Sequence, residues 1–431
     1  MKPGARLASA VDILDQVVNR HRPAAQVLSD WGKSNRFAGS GDRGAIGNLV
    51  YDALRRRLSL AAQMDDDRPR ALIVAAAPRA FAMAPDAVGD LADGSRYCLS
   101  PLTDDERASL ARPVPSDAPA NVRGDYPQWL DASMSRTFAS EAAAEGAALS
   151  TRAPVDLRVN ALKAERSQVL KALTKSGARE GPHTPYCVRI DPPRGPGRTP
   201  NVEAEAAHGR GWFEVQDAGS QVAAAMAGAG PRLQILDLCA GAGGKTLALA
   251  ALMQNTGQIY AYDSDKQQLR PIFERLKRAG VRNAQVMTAG DEAALLTLGP
   301  RFDLVFVDAP CTGSGVWRRR PDAKWRLKPA NLTARISEQR RILSTAEQLV
   351  RPGGRLVYVT CSVLPEENTD QVDWFVGQSA DFTVVPYADR WRETLPGQVP
   401  ASADGRHDAL LLTPRQHRTD GFFIATLERQ A

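Results

Sequence analysis

Two cysteines stand where short apolar runs end. Cys311 closes FDLVFVDAPC, residues 302–311, three residues after Asp308, and Cys361 follows GRLVYVT in the stretch TCSVLPEEN, residues 360–368. An acid directly after a buried strand, with proline stiffening the chain beyond it, holds a carboxylate and a thiol at a fixed separation on the rim of a sheet. A single such cysteine is more often a small buried hydrophobe than a reagent. A second thiol at a second strand end weakens that plain reading, provided the two strands are near neighbours. Two rim thiols point to covalent chemistry by a thiolate.

The other chemistry-bearing residues also follow apolar runs. DLCAGAGGKT, residues 237–246, carries Gly241, Gly243 and Gly244, and glycines let backbone amides approach a ligand at a helix N-terminus. It is not a P-loop, which would need glycine at Cys239. Nor is it a dinucleotide GxGxxG, because Lys245 and Thr246 follow GAGG with no third glycine in register. Asp263 ends the next run about twenty residues on, where an acid commonly hydrogen-bonds both ribose hydroxyls of a nucleotide-like cofactor. A helix N-cap is its plainer role, and Ser264 or Asp265 would fill that more naturally. Asp291, in TAGDEAA, either contacts an adenine amino group or caps a helix. Beyond Cys311 come Arg318, Arg319, Arg320, Lys324, Arg326 and Lys328, interleaved with Trp317 and Trp325. Cations for phosphate and aromatics for stacking suit an unpaired nucleic-acid strand, against the plain alternative of a solvated basic loop.

The elements that must hold these residues are legible as alternating patterns. After residue 210, the runs LQILDL, QIYAYD, AQVMTA, FDLVFVDAP and GRLVYVT are separated by helical stretches. Continuous apolar strands between helices imply an α/β fold, a mostly parallel doubly wound sheet that binds ligands beyond its strands' carboxyl ends. Upstream, Leu7, Val11, Leu14 and Val18 repeat at helical spacing, as do Leu49, Ala53, Leu54 and Leu58. The proline-rich ARPVPSDAPANVRGDYP reads as a linker, and residues 157–179 as a short strand followed by an amphipathic helix. The expected division is a helical domain with its linker over 1–120, a small α/β subdomain over 121–205 and a catalytic domain over 206–431.

Composition sets the bounds. A chain of 431 residues exceeds what one core supports, and a net charge of +6 favours a polyanionic partner. Asp12 and Asp15 break the only apolar stretch near the start, and nowhere do eighteen apolar residues run together, so neither a signal peptide nor a membrane span is expected and a cytoplasmic location is. The five cysteines form no CxxC pair and the five histidines are scattered, which points away from a disulfide framework, a zinc ribbon or any metal centre.

Taken together, these stretches resemble the bacterial rRNA small-subunit methyltransferase B and NOL/NOP/Sun group of RNA 5-methylcytosine methyltransferases. The resemblance runs from about residue 124 to the C-terminus through VQDAGSQ, DLCAGAGGKT, YDSD, AGD, DAPCTGSGVWRRRPDAKW, TCSVLPEEN and DGFFIA. The N-terminal helices resemble the all-α NusB-like RNA-binding module of bacterial members. One departure is that Gly241 and Ala242 stand where the family loop commonly has Ala-Pro. The resemblance implies a Rossmann-like catalytic domain in which Cys239, Ala240, Gly241, Ala242, Gly243, Gly244, Lys245, Asp263, Asp291 and Asp308 hold S-adenosylmethionine. It further implies that Asp308 lies near the base, that Cys361 is the nucleophile and that Cys311 assists product release. The RNA would be rRNA of the small subunit, with tRNA open. Two alternatives are a non-catalytic RNA-binding protein on the same fold, which needs neither thiol, and methylation of an exocyclic or amide nitrogen, which uses an Asn-Pro-Pro-Tyr-type strand end where this chain has DAPC.

Overall fold

Apolar residues at three- and four-residue spacing close the core of a first, helical unit in this computed structural model, which describes residues 1–431. The unit comprises residues 1–153, 192–200 and 317–327. Leu7, Leu14 and Val17 of the helix Pro3–Val18 pack with Leu49, Val50 and Ala53 of Ser40–Arg55 and with Leu72, Ile73 and Ala76 of Pro69–Phe81. Thr103 starts the helix Asp104–Leu110 with a reciprocal cap: its hydroxyl accepts from Glu106 N at 3.1 Å while Glu106 Oε2 accepts from Thr103 N at 2.9 Å.

The helical unit extends past the boundary expected near residue 120. Helices Ala120–Gly124, Asp131–Phe138 and Ala142–Leu149 belong to it, and two glycines let the first and last of these meet backbone to backbone. A Cβ on Gly146 would lie 2.6 Å from the Gly124 carbonyl oxygen.

The stretch expected to offer stacking and phosphate contacts to RNA is, in part, interior. Segment 317–327 is built into the helical unit, where Trp317 is 1% and Lys324 0% exposed and Arg318 is also buried. Its role is to cap the helix Ser40–Arg55, whose last carbonyls have no partner within the helix. Lys324 Nζ donates to Arg55 O at 2.9 Å and to Ser150 Oγ at 2.9 Å, and Trp325 Nε1 donates to Leu54 O at 2.6 Å. Burial lowers the Lys324 ammonium to about 7. Lys324 and Trp325 thus spend their N–H donors on this helix and Arg318 is buried, whereas Arg319 is half-buried and Arg320 is exposed.

The second unit, residues 154–191, 201–316 and 328–431, contains two sheets. In the smaller, β1 (Val155–Val159), β2 (Arg179–Glu180), β3 (Cys187–Ile190) and β4 (Phe213–Val215) are antiparallel in the order β2-β3-β1-β4. In the larger, β5 (Gln234–Asp237), β6 (Gln258–Ala261), β7 (Ala284–Val286), β8 (Phe302–Asp308) and β9 (Val350–Thr360) are parallel, and β10 (Phe382–Val385), β11 (Leu410–Leu412) and β12 (Phe422–Arg429) complete the sheet in antiparallel fashion. The order β10-β12-β9-β8-β5-β6-β7 is that of a Rossmann-like methyltransferase. The chain leaves β5 in one direction through β6 and β7, then returns to β8 on the other side of β5, so the crevice falls beyond the ends of β5 and β8. Ile235, Leu304, Phe306, Val357, Val359 and Ile424, all 0% exposed, form the core beneath it. No helix is long and apolar enough to cross a membrane.

Candidate active site

The two thiols meet because β8 and β9 are adjacent and in register. Asp308 pairs with Val359, Ala309 N donates to Val359 O at 2.8 Å, and the loop after β8 then folds along the end of β9, where Gly315 N donates to Cys361 O at 2.9 Å. Cys311 Sγ lies 3.4 Å from Cys361 Sγ. Ser314 and Ser362 share a hydroxyl contact of 2.9 Å beneath them, and Gly421 N, just before β12, donates to Gly315 O at 2.9 Å. The hydrogen bond with Cys361, and after it burial, pushes the Cys311 thiol well above its ordinary pKa.

Lysine joins this pair of strand ends to the glycine-rich loop. Lys245, on the first turn of the helix Gly244–Leu252, is buried and donates from Nζ to Asp308 Oδ2 at 2.7 Å. Its ammonium also lies over the Phe422 ring, 5.4 Å from the centroid. Gly243 has φ +83° and a Cβ there would lie 2.5 Å from Ile272 Cγ1, so no other residue fits. Within the same loop, Ala240 N donates to Tyr262 O at 2.9 Å and the Ala242 carbonyl accepts from Arg275 at 2.8 Å. Burial pushes the Cys239 thiol well above its ordinary value.

Asp263 and Asp291 both accept backbone N–H groups. Asp263 accepts Gly241 N at 2.8 Å on Oδ2 and Asp265 N at 2.8 Å on Oδ1. Its N-cap alternative is excluded, since Asp265 caps the helix Lys266–Leu269 by accepting from Gln267 N at 2.7 Å. Each Asp263 oxygen keeps a second lone pair for a ligand hydroxyl. Asp291 caps Glu292–Leu296 through Ala294 N at 2.9 Å, the plainer of its two roles.

Three residues at the site escaped the sequence reading. Asp237, at the end of β5, accepts from Thr246 Oγ1 at 2.7 Å, leaves Oδ1 buried without a partner, and is pushed by burial to about 7. Gln339 and Glu367 hold the loop around Cys311. For Glu367 the signal was present as the acid pair in TCSVLPEEN, but Gln339 sits in a helical stretch with nothing to single it out.

The family profile described as 16S rRNA methyltransferase RsmB/F matches residues 229–428, and the ferredoxin-like domain of RsmF/B-like methyltransferases matches residues 126–195. Ribosomal RNA small subunit methyltransferase B from Salmonella paratyphi A is 32% identical over 314 residues, covering 72% of this chain and 68% of that protein. The chain belongs to this methyltransferase B family. S-adenosylmethionine is accordingly its cofactor, and Asp263 beside the glycine-rich loop fits it: the carboxylate is fixed by two backbone N–H groups with lone pairs to spare. Two solved structures share the methyltransferase fold. NSun6 from Pyrococcus horikoshii, determined with SFG, is 23% identical with a TM-score of 0.62 over 71% of this chain and 98% of that one. A methyltransferase homolog protein from the same organism is 28% identical with a TM-score of 0.58 over 72% of this chain and 97% of that one.

Proposed function

We propose that this methyltransferase acts on carbon 5 of a cytosine in small-subunit rRNA, through a covalent bond between Cys361 and carbon 6. The observation that carries this reading is the 3.4 Å approach of two thiols at neighbouring strand ends, beside the Lys245–Asp308 pair. The rRNA substrate is supported by the name of the Salmonella relative.

When bound, S-adenosylmethionine supplies an electrophilic methyl group on a sulfonium. Carbon 5 of cytosine is too poor a nucleophile to take it unaided. Addition of the Cys361 thiolate to carbon 6 makes carbon 5 enamine-like and reactive. The Cys311 sulfur lies 3.4 Å from the Cys361 sulfur, within reach of the carbon to which Cys361 is bonded. Asp308, oriented by Lys245, accepts from the exocyclic amino group and fixes the edge of the base. Once the ring is methylated, carbon 5 must lose its proton so that the carbon 6–sulfur bond can break and Cys361 can leave as thiolate. Cys311 then gives its own proton to solvent and accepts the one from carbon 5.

The test is nucleoside mass spectrometry of small-subunit rRNA, with tRNA as the competing substrate, after incubation with the protein and S-adenosylmethionine. The expected product is 5-methylcytosine in the rRNA; methyl groups found only on a nitrogen overturn the reading.

A further inference from the structure

The loop that carries Cys311 is fastened on both sides of the cysteine by side chains outside the chemistry described above. Before it, the Pro310 carbonyl accepts from Gln339 Nε2 at 3.0 Å. After it, Thr312 donates its backbone N–H to Glu367 Oε1 at 2.7 Å and its hydroxyl to Oε2 at 2.5 Å. Gln339 Nε2 also reaches Oε1 at 3.3 Å, so one carboxylate links the helix Pro329–Glu347 to the loop. Glu367 itself lies on the short turn Pro365–Glu367 that follows Cys361, and Tyr358 of β9 donates its hydroxyl to the Glu367 carbonyl at 2.7 Å. Glu367 and Gln339 are both 0% exposed.

An acid in that position is costly. Burial holds the Glu367 carboxyl above its usual range, and no lysine or arginine compensates it; its partners are Ser362, Thr312 and Gln339. Packing alone would favour an apolar side chain of similar size. What the acid adds is a pair of acceptors matched to the two donors of Thr312, the residue next to Cys311.

We propose that Glu367 is the positioning residue of Cys311: through Thr312 it holds the loop so that the Cys311 sulfur stays against Cys361, and it thereby sets the rate at which the methylated adduct is released. The placement rests on geometry alone, and the effect on release rests on the roles proposed above for the two thiols.

Placement is read without RNA, by oxidising the full-length protein with diamide. The two thiols form a disulfide, giving up two electrons and two protons that reduce the azo bond to a hydrazine, and peptide mass mapping reports the rate. Glu367→Ala is expected to slow this cross-link on the order of tenfold, the equivalent of roughly one hydrogen bond. Glu367→Gln is expected to stay within about threefold of the parent, because the amide oxygen accepts the Thr312 N–H and the amide nitrogen can face its hydroxyl. Release is read with rRNA in a single turnover, where the Glu367→Ala adduct is expected to persist about tenfold longer on a denaturing gel. A parental cross-linking rate in Glu367→Ala overturns the proposal, and so does a Glu367→Gln variant as slow as Glu367→Ala. If Glu367→Ala melts far below the parent, Thr312→Val carries the test, since it removes only the hydroxyl bond; a parental cross-linking rate there also overturns the proposal. Slowed cross-linking in a protein that never forms an adduct, the parent included, upholds the placement and refutes the thiol chemistry.

Discussion

The Cys311 and Cys361 sulfurs lie 3.4 Å apart, and single substitutions test the different work proposed for them. Cys361→Ser is expected to give neither 5-methylcytosine nor any RNA adduct, whereas Cys311→Ser is expected to form the adduct and resolve it poorly. A denaturing gel with and without reductant distinguishes them, because a thioether survives reductant and a disulfide does not; the reverse pattern would mean that the roles are exchanged. Asp263→Ala removes the carboxylate proposed to hold the ribose and also frees Gly241 N. Charge-assisted hydrogen bonds contribute about 1.5–3 kcal/mol each, so calorimetry should show at least roughly a tenfold loss of affinity for S-adenosylmethionine. Unchanged affinity would place the ribose elsewhere. Asp237 makes a prediction about stability. Folded, it keeps its proton to about pH 7; unfolded, it loses it near the ordinary 3.8. Between those values the folded state holds the extra proton, so the contribution of Asp237 is fully present below pH 3.8 and is lost as pH rises through 7. Asp237→Asn should therefore melt higher than the parent at pH 8, by an amount on the order of a few kcal/mol, and show little difference at pH 4. An equal difference at both pH values would assign the titration to another group.

Elements differ in how plainly the sequence announces them. The strands β5, β8 and the second half of β9 are almost wholly buried and read as apolar runs, whereas the edge strand β7 is only partly covered; glycines and acids mark the carboxyl ends. That much located Cys311, Cys361, Lys245, Asp263 and Asp308 on one rim. Pairing is a different matter: that β8 lies beside β9, and that β12 inserts between β9 and β10, depends on contacts far apart in the chain. The packing of segment 317–327 is hidden for the same reason. Its tryptophans and cations have the composition of a nucleic-acid strap, and nothing local reveals that Lys324 and Trp325 satisfy carbonyls 269 and 271 residues earlier. Asp237 and Gln339 were invisible because their roles come from burial and direction, which residue type does not disclose. One junction between elements gives a direct test. Gly421 at the entrance to β12 meets Gly315 of the Cys311 loop so closely that a Cβ on Gly421 would lie 2.6 Å from the Gly315 Cα and 2.7 Å from Val363 Cγ1. Gly421→Ala should cost about 1–3 kcal/mol in denaturant unfolding and reduce methylation more than it reduces cofactor binding. A variant with parental stability would show that the loop can yield.

At the scale of the molecule, the chain passes between its two units five times, after residues 153, 191, 200, 316 and 327. A deletion of residues 1–153 is for this reason not a clean removal of one domain. It leaves Trp317 and Lys324, now 1% and 0% exposed, without the helices that enclose them, on a segment that begins six residues after Cys311. The truncated protein is expected to melt lower than the parent, to aggregate, and to lose turnover along with RNA affinity. A truncated form with the parental melting temperature and full activity at saturating RNA would show that segment 317–327 folds unaided and that the helices supply affinity only. The same threading bears on how the chain is born. Synthesis delivers the helices first, yet the carbonyls of Leu54 and Arg55 wait for donors at Trp325 and Lys324. At about 5–20 residues per second, a ribosome needs on the order of ten seconds or more to travel that far. The unit that emerges first is thus among the last to be finished, and its early, open form is a natural client for chaperones during translation.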